Sequence, residues 1–316
     1  MCRATVISLR SPNRADEEHC IMNYGIHLPN SGAFADPELV IEIADLAERS
    51  SLESVWVFDH ILTPVEVDSK YPFSADGSYH NPATQSYLDA LTVLSVVAGR
   101  TSRVRLGTRV LIAAYRHPVP LAKQLATLDV LSGGRLTVGV GAGWMREEFD
   151  ALGVPWERRY SILDEHVALM RNTWMHGTTS FEGKHFRHGH AGFYPQPVQP
   201  GQTIPIVVGG TGDRALRQVA EWGDGWAVAV PGTVAPAERI SALTERLTTL
   251  RRLAEEAGRD PDALRLVGQA PIDAPRQLLE AIADLGVHEC DMMLTSGGQA
   301  GIEQVETLVQ QLADLP

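Results

Sequence analysis

The heptapeptide SVWVFDH, residues 54–60, is the segment that decides the fold of this chain. Its first five residues favour a strand and show no alternation of polar with apolar side chains. A strand that is apolar on both faces is typical of a parallel sheet covered on both sides. The two ionisable residues that follow, Asp59 and His60, are therefore expected where the core meets a loop or a mouth.

Strand-like and helix-like segments alternate on both sides of this strand. The pattern predicts further strands at 24–28, 104–112, 135–140, 204–208, 225–228, 264–267 and 289–294. It predicts helices at 36–47, 87–98, 118–131, 162–174, 213–222, 237–257, 276–285 and 302–312. Eight strands with eight helices is the count of a TIM (β/α)8 barrel. An open doubly wound sheet usually has fewer strands and a GxGxxG turn after the first, which this sequence lacks, so the barrel is the predicted α/β fold.

The domain prediction is one barrel over residues 22–316, preceded by a polar and dispensable leader at 1–21. Two connections are too long for plain loops and are predicted as insertions, at 61–86 and 177–203. The first follows a strand, which places it at the carboxyl end of the barrel, where barrel enzymes keep their active sites. The second precedes a strand, so it is expected at the opposite face unless it folds back.

Composition excludes several classes of function. The formal net charge of −12 argues against nucleic-acid binding, which needs a basic patch. No apolar run approaches the roughly 20 residues of a membrane helix. Three scattered cysteines predict neither a disulfide framework nor a zinc site, and a reducing cytoplasm is the expected location. His185, His188 and His190 share one loop without a carboxylate or cysteine at ligand spacing, so no metal site is predicted.

Three segments at strand ends could carry chemistry. His60 has the side chain best suited to general acid–base work near neutral pH, although a structural histidine beside a loop-capping Asp59 is the alternative. The turn GGTGD at 209–213 opens a helix and could bind a phosphate, or be only a tight turn. The run GVGAGW at 139–144 could let a flat ligand lie against backbone, or be a kink at the barrel rim.

Four longer segments carry a resemblance to a known family. They are SVWVFDHIL (54–62), VRLGTRVLIAAYRHPV (104–119), LAKQLATLDVLSGGRLTVGVGAGWMREEFDALGVPWERR (121–159) and PIVVGGTGDRALRQVAEWGDGW (205–226). Together they resemble the bacterial luciferase-like superfamily of flavin and deazaflavin oxidoreductases. Within it, YPFSADG (71–77) with the start of the third segment is similar to the actinobacterial group that uses coenzyme F420, a deazaflavin.

The resemblance implies a flavin-type ring at the carboxyl mouth of the barrel. Asp59 would contact the ring and His60 would face the substrate as acid–base. A non-proline cis peptide at Arg109–Val110 would make a bulge behind the ring. The remaining cofactor contacts that it implies are Thr108, Gly141, Ala142, Gly143, Val208, Gly209, Gly210, Thr211 and Gly212, the last four around the phosphate.

One departure from the family bears on the substrate. Its deazaflavin-dependent sugar-phosphate dehydrogenases place a catalytic glutamate where this chain has Trp144, so a sugar phosphate is a doubtful substrate. Trp144, with His27 and with Tyr71 and Phe73 from the first insertion, predicts a pocket for an apolar or aromatic substrate.

The predicted function is hydride transfer between bound F420 and a small organic substrate. The alternatives are an FMN-dependent monooxygenase that uses reduced flavin and oxygen, and a barrel that binds a flavin without turnover. Relatives of this type imply a homodimer and a partner F420 or flavin reductase. Arg158, Arg159 and Arg214 are the cations predicted to hold the acidic tail of F420.

Overall fold

The computed structural model describes residues 22–74, 76–228, 236–287 and 289–313. Their strands are β1 (Asn23–His27), β2 (Ser54–Val57), β3 (Arg105–Ile112), β4 (Leu136–Gly141), β5 (Thr178–Glu182), β6 (Arg187–Gly192), β7 (Ile206–Gly209), β8 (Gly225–Ala227), β9 (Arg265–Pro271) and β10 (Glu289–Met293). Eight of them close a parallel barrel in the order β1-β10-β9-β8-β7-β4-β3-β2, while β5 and β6 form a separate hairpin. The predicted TIM barrel is confirmed, and the predicted leader lies outside the described residues.

Helices cover the outside of the barrel. They are α1 (Pro37–Glu48), α2 (Ala90–Arg100), α3 (Pro118–Leu131), α4 (Arg146–Ala151), α5 (Arg159–His176), α6 (Asp213–Glu221), α7 (Pro236–Glu256), α8 (Arg276–Asp284) and α9 (Gly298–Ala313). Local sequence sets their starts: Asp36 accepts hydrogen bonds from the Glu38 and Leu39 amides, and Pro37 occupies the first helical position of α1. The short α4 was not predicted.

The inside of the barrel is filled in three layers. The lower layer, near the amino ends of the strands, is polar, and the middle layer is Trp56 with Val207, Ala227 and Val267. Gly107 makes room for the Trp56 ring, because a Cβ there would collide with it. The upper layer, just below the mouth, is polar again and consists of His27, Arg109, Gln269 and Asp291.

The insertion at 177–203 contains the hairpin β5–β6, which was not predicted as strands. The hairpin folds back along α5: the Glu165 carboxylate accepts hydrogen bonds from the amides of residues 184–186. Phe186 then packs edge-on against His117, which follows β3 on the mouth side of the wall. The exit of the insertion stays at the amino end, where Gln199 donates to the Leu136 carbonyl at 2.8 Å.

Candidate active site

His60 is held by a buried carboxylate. Its Nδ1 lies 2.7 Å from Oε2 of Glu148, a side chain on α4 with 0% exposure. The other carboxylate oxygen accepts the amides of Ile61 at 2.6 Å and Leu62 at 3.2 Å. A carboxylate only accepts hydrogen bonds, so Nδ1 donates and the neutral ring presents Nε2 as an acceptor. The geometry therefore fixes the tautomer that a general base at this position would need.

Helix α4 also fixes the first insertion. Glu147, the neighbour of Glu148, accepts the amides of Asp68 at 2.7 Å and Ser69 at 2.9 Å. The Arg146 amide in turn donates to the Ser69 hydroxyl at 2.9 Å. Two adjacent carboxylates therefore tie residues 61–62 and 68–69 to the end of β4, and this arrangement determines where the rest of the insertion lies.

Aromatic rings from the first insertion, from Tyr87 just after it and from Trp144 after β4 cluster at His60. Trp144 lies 6.1 Å from His60 between ring centroids, Tyr79 6.0 Å and Tyr87 5.1 Å. Tyr71 packs on Trp144 at 4.9 Å, and Phe73 on Tyr71 at 5.5 Å. These five rings are called the aromatic cover below. The cover contains three predicted pocket residues, Trp144, Tyr71 and Phe73, and adds Tyr79 and Tyr87.

The phenols of the cover are neutral hydrogen-bond donors at physiological pH. Burial, and then the proximity of Tyr79, raises the pKa of Tyr71 to about 12. Burial also raises the pKa of Tyr79, and it holds the pKa of Tyr87 well above its ordinary value. Beside them, burial and then the Glu148 carboxylate raise the pKa of Tyr115. The rings that surround His60 are thus aromatic and uncharged, and the carboxylate that contacts it is Glu148.

Asp59 is engaged within the protein. Its side chain has 0% exposure, and its carboxylate accepts two hydrogen bonds from the Arg116 guanidinium, at 2.7 and 2.8 Å. It also accepts the Ile112 amide at 3.0 Å. These hydrogen bonds join the end of β2 to the end of β3, so the Asp59 carboxylate positions the two strand ends relative to each other. The direct contact with a cofactor that the resemblance implied stays a prediction.

The peptide bond Arg109–Val110 is cis, which confirms the expectation. The pairing of β3 with β4 shifts register there, between Thr108 and Leu111. Glycines of two neighbouring strands accommodate the Val110 side chain: a Cβ would lie 2.6 Å from a Val110 methyl at Gly141 and 2.7 Å from one at Gly209. The two glycines, on β4 and on the next strand β7, therefore leave room for the Val110 side chain.

Several predicted cofactor contacts have a structural reason in the protein itself. Gly141 makes room for the bulge, and Gly143 has φ +81° and makes room for the Phe149 ring. The Thr108 hydroxyl donates to the Gly139 carbonyl at 2.8 Å, and Val208 packs in the main core. At these positions only backbone atoms are available to a ligand, and Ala142 beside them is only partly buried.

The turn after β7 has the features of an anion site. Gly210 has φ +107°, a conformation that side chains rarely adopt, and Gly212 is the N-cap residue of α6. Thr211 is exposed between them. The first turn of a helix leaves its amides free for an anion. The prediction of a phosphate at residues 209–212 fits this geometry.

The three predicted arginines have different environments. Arg214 pairs with Asp164, and Arg159 stacks over the Trp156 ring at 3.7 Å. Arg158 is exposed and has no ion pair in the described part of the chain. Of the three, Arg158 is the cation that a ligand can reach without displacing a partner.

His27 lies at the end of β1, next to β2. It is 5% exposed, and its ring packs on Phe58 with centroids 3.7 Å apart. Its Nδ1 is 2.9 Å from the Asp291 carboxylate. The predicted pocket residue therefore belongs to the upper layer of the barrel, below the aromatic cover.

Sequence reasoning missed Glu148, Tyr79, Tyr87 and Asp291. Glu148 is 88 residues from its histidine, and only the acidic pair EE at 147–148, shortly after a predicted strand, signals it. Asp291 lies inside the predicted strand 289–294, where a charged residue pointing into a barrel is itself a signal.

Among the described residues there is no group of three metal-ligating side chains and no helix long and apolar enough to cross a membrane.

Comparison with known proteins gives concordant matches. The model of the luciferase-like monooxygenase family matches residues 22–306. An F420-dependent glucose-6-phosphate dehydrogenase of Nakamurella multipartita is 31% identical over 88% of this chain and 75% of its own.

Two solved structures share the fold. The monooxygenase RslO1 from Streptomyces bottropensis has a TM-score of 0.70 at 22% identity, over 92% of this chain and 99% of its own. An F420-dependent secondary alcohol dehydrogenase in complex with an F420–acetone adduct has a TM-score of 0.71 at 19% identity, over 93% and 100%.

Proposed function

Because the chain belongs to the luciferase-like monooxygenase family, we propose that it is an F420-dependent oxidoreductase that transfers a hydride to or from a small organic substrate. The observation that carries the proposal is His60, whose Nδ1 is fixed by a buried Glu148 and whose Nε2 is left as an acceptor under an aromatic cover. The 31% identity to an F420-dependent dehydrogenase supports the choice of cofactor.

The residues present fit a deazaflavin. The glycine turn at 209–212 and the amino end of α6 would hold the phosphate, and the bulge at Val110 would form the wall behind the ring. Exposed Arg158 would meet the carboxylates of the tail. When bound, a deazaflavin supplies two-electron hydride chemistry without readily activating oxygen.

The protein's own part is to bind, orient and handle one proton. When a substrate hydroxyl is oxidised, its proton passes to Nε2 of His60, and in the reverse direction His60 returns it. Glu148 stabilises the imidazolium that results, because the charged ring then donates to a carboxylate. The aromatic cover excludes water and favours a substrate with apolar or aromatic surface.

The second candidate is an FMN-dependent monooxygenase. The family description and the likeness to RslO1 favour it, since the barrel and the phosphate turn would serve FMN equally well. Such an enzyme would receive its reduced flavin from a separate reductase. The two candidates differ beyond the phosphate, where only F420 carries an acidic tail.

Cofactor titrations at low and high salt separate the two. We expect F420 to bind at least about tenfold more tightly than FMN, a difference of about 1.4 kcal/mol, and the difference to shrink with salt. Arg158→Ala should reduce the preference. Arg100→Ala, which removes an arginine from the end of α2 at the other face of the barrel, is the control. Equal affinities, or oxygen consumption with reduced FMN, would establish the monooxygenase instead.

A further inference from the structure

The upper layer of the barrel leaves two buried polar atoms without a partner. Oδ2 of Asp291 accepts hydrogen bonds from His27 Nδ1 at 2.9 Å and Gln269 Nε2 at 3.0 Å, and the Arg109 Nε lies 3.7 Å away. Oδ1 of Asp291 and Nε2 of His27 have no hydrogen-bond partner within the described residues. Both side chains are at least nine-tenths buried. Unpaired buried polar atoms are costly, and in native proteins each needs an explanation.

The lower layer of the same barrel contains, for comparison, a hydrogen-bond network whose polar side chains are all paired. Ser54 donates to Glu289 at 2.8 Å, and Arg265 pairs with the other oxygen of Glu289. Arg105 and Arg265 both donate to the Thr137 hydroxyl, at 3.0 and 3.1 Å. None of these side chains has an unpaired buried atom. Of these two polar layers inside the barrel, only the upper one, on the mouth side, has unpaired buried atoms among the described residues, and a small molecule could complete it.

Charge balance defines what the unpaired nitrogen can bind. Arg109 and Asp291 already neutralise each other, so a neutral His27 leaves the layer without net charge. Its Nδ1–H then donates to Asp291, and Nε2 carries a lone pair. Both unpaired atoms are acceptors, and their complement is a hydroxyl or N–H donor.

The location of His27 in the barrel indicates that this donor belongs to the substrate rather than to the cofactor. His27 ends β1 and His60 follows β2, which are neighbours in the barrel. The glycine turn ends β7, four strands away from β1 on the opposite wall. A group bound at His27 therefore lies on the side of the mouth that holds the acid–base residue.

We propose that His27 and Asp291 form a second polar subsite, which binds a hydroxyl or N–H donor of the substrate other than the group that reacts at His60. This inference rests on the proposed function and narrows its substrate class to molecules with two polar groups on an apolar or aromatic frame. Asp291 contributes in two ways: Oδ2 sets the tautomer of His27 through its hydrogen bond to Nδ1, and the unpaired Oδ1 is a second acceptor for the donor group.

Histidine nitrogen resonances test the subsite without turnover. In protein labelled with ¹⁵N-histidine and loaded with F420, long-range ¹H–¹⁵N spectra report each ring nitrogen. The probes are the 1,2-, 1,3- and 1,4-cyclohexanediols and their monomethyl ethers, which have one donor blocked. We expect at least one diol to shift His27 Nε2 and its ether to leave it unchanged, while both shift His60. Buried His166, whose two ring nitrogens face carbonyl oxygens, is the internal reference that neither should move.

Substitutions of His27 measure how much the proposed hydrogen bond contributes to binding affinity. The diol should bind about 3–10-fold more tightly than its ether, the range for one neutral hydrogen bond, and His27→Phe should abolish the difference. His27→Gln, which restores a polar atom, should recover part of it. If F420 or FMN alone shifts His27 Nε2, the cofactor occupies the subsite and the inference is wrong. The inference is also wrong if the diol shifts the ring-nitrogen resonances of His60 but not those of His27; the proposed function would then stand. If the protein binds neither F420 nor FMN, the proposed function itself is wrong.

Discussion

The tautomer of His60 can be reversed by one substitution, Glu148→Gln. In the wild type, two backbone amides point at Oε1 of Glu148 and the imidazole Nδ1 points at Oε2. In the variant, the amides of Ile61 and Leu62 require an acceptor, so they retain the glutamine oxygen. The glutamine NH₂ group must then face Nδ1, which can meet it only as an acceptor. The proton moves to Nε2, and the base at the mouth is lost.

The magnitude follows from the hydrogen bonds exchanged. A hydrogen bond to a charged group contributes about 1.5–3 kcal/mol, so the wild type should favour the Nδ1–H tautomer by roughly 10- to 100-fold. In the variant a neutral hydrogen bond of about 0.5–1.5 kcal/mol favours the opposite tautomer. If His60 accepts the substrate proton, turnover should fall by about 10²–10⁴-fold, the range for losing a general base, while cofactor affinity stays near wild type.

The assay is the ¹⁵N spectrum of the histidine ring, which distinguishes protonated from unprotonated nitrogens. Glu147→Gln is the matched control, because Glu147 accepts the amides of Asp68 and Ser69 and makes no hydrogen bond to His60 within the described residues. The control should keep the wild-type tautomer. A Glu148→Gln protein that also keeps Nδ1 protonated would refute the argument, as would one that loses the tautomer but turns over at the wild-type rate.

Three further changes test the framework of the site. Arg116→Met should destabilise the protein by about 3–5 kcal/mol in denaturant unfolding, since buried Asp59 loses the cation that pairs with it; Asp59→Asn in the same chain should restore part of the loss. Gly141→Ala should cost about 1–3 kcal/mol, because its Cβ would lie 2.6 Å from a valine methyl, whereas Gly99→Ala, with nothing within 4 Å, should not destabilise. Burial would raise the pKa of Glu48, but hydrogen bonds from residues 102–104 outweigh it and lower this pKa to about 2. The ionised Glu48 should therefore add about 1–2 kcal/mol, after solvent screening, to the free energy of unfolding above pH ~4.5. This contribution should disappear as the pH falls toward 2, and it should be missing at every pH in Glu48→Gln.

The sequence predicted the barrel strands well because most of them are short apolar runs with a turn signal at the end; β10, with Glu289 and Asp291, is an exception. It did not predict the hairpin β5–β6, whose residues are mostly exposed and carry little apolar alternation. Nor did it predict α4, which has six residues and is held by its contacts with the first insertion rather than by a helical repeat. Both elements are defined by tertiary contacts, which a local pattern does not contain.

The site could be predicted only in part, for the same reason. His60 and Trp144 were found because a polar or aromatic residue follows a predicted barrel strand, whereas the partner of His60 comes from a different element of the chain. The glycines were noticed but interpreted as places for a ligand. The structure adds a second reason for two of them: Gly141 and Gly209 adjoin the Val110 side chain, a contact that is visible only once three strands are aligned, while the cofactor contacts stay a prediction.

These contacts divide the mouth into two halves with different chemistry. The half formed by β1, β2 and α4 holds titratable side chains that hydrogen-bond within the protein, among them His27, His60 and Glu148. The half formed by β3, β4 and β7 offers glycine and backbone around the bulge and the phosphate turn. A ring bound against the second half would present one face to the first, and a substrate on that face would then meet His60 directly. A change of substrate would then require new side chains only in the first half and its aromatic cover, while the wall behind the cofactor stays the same.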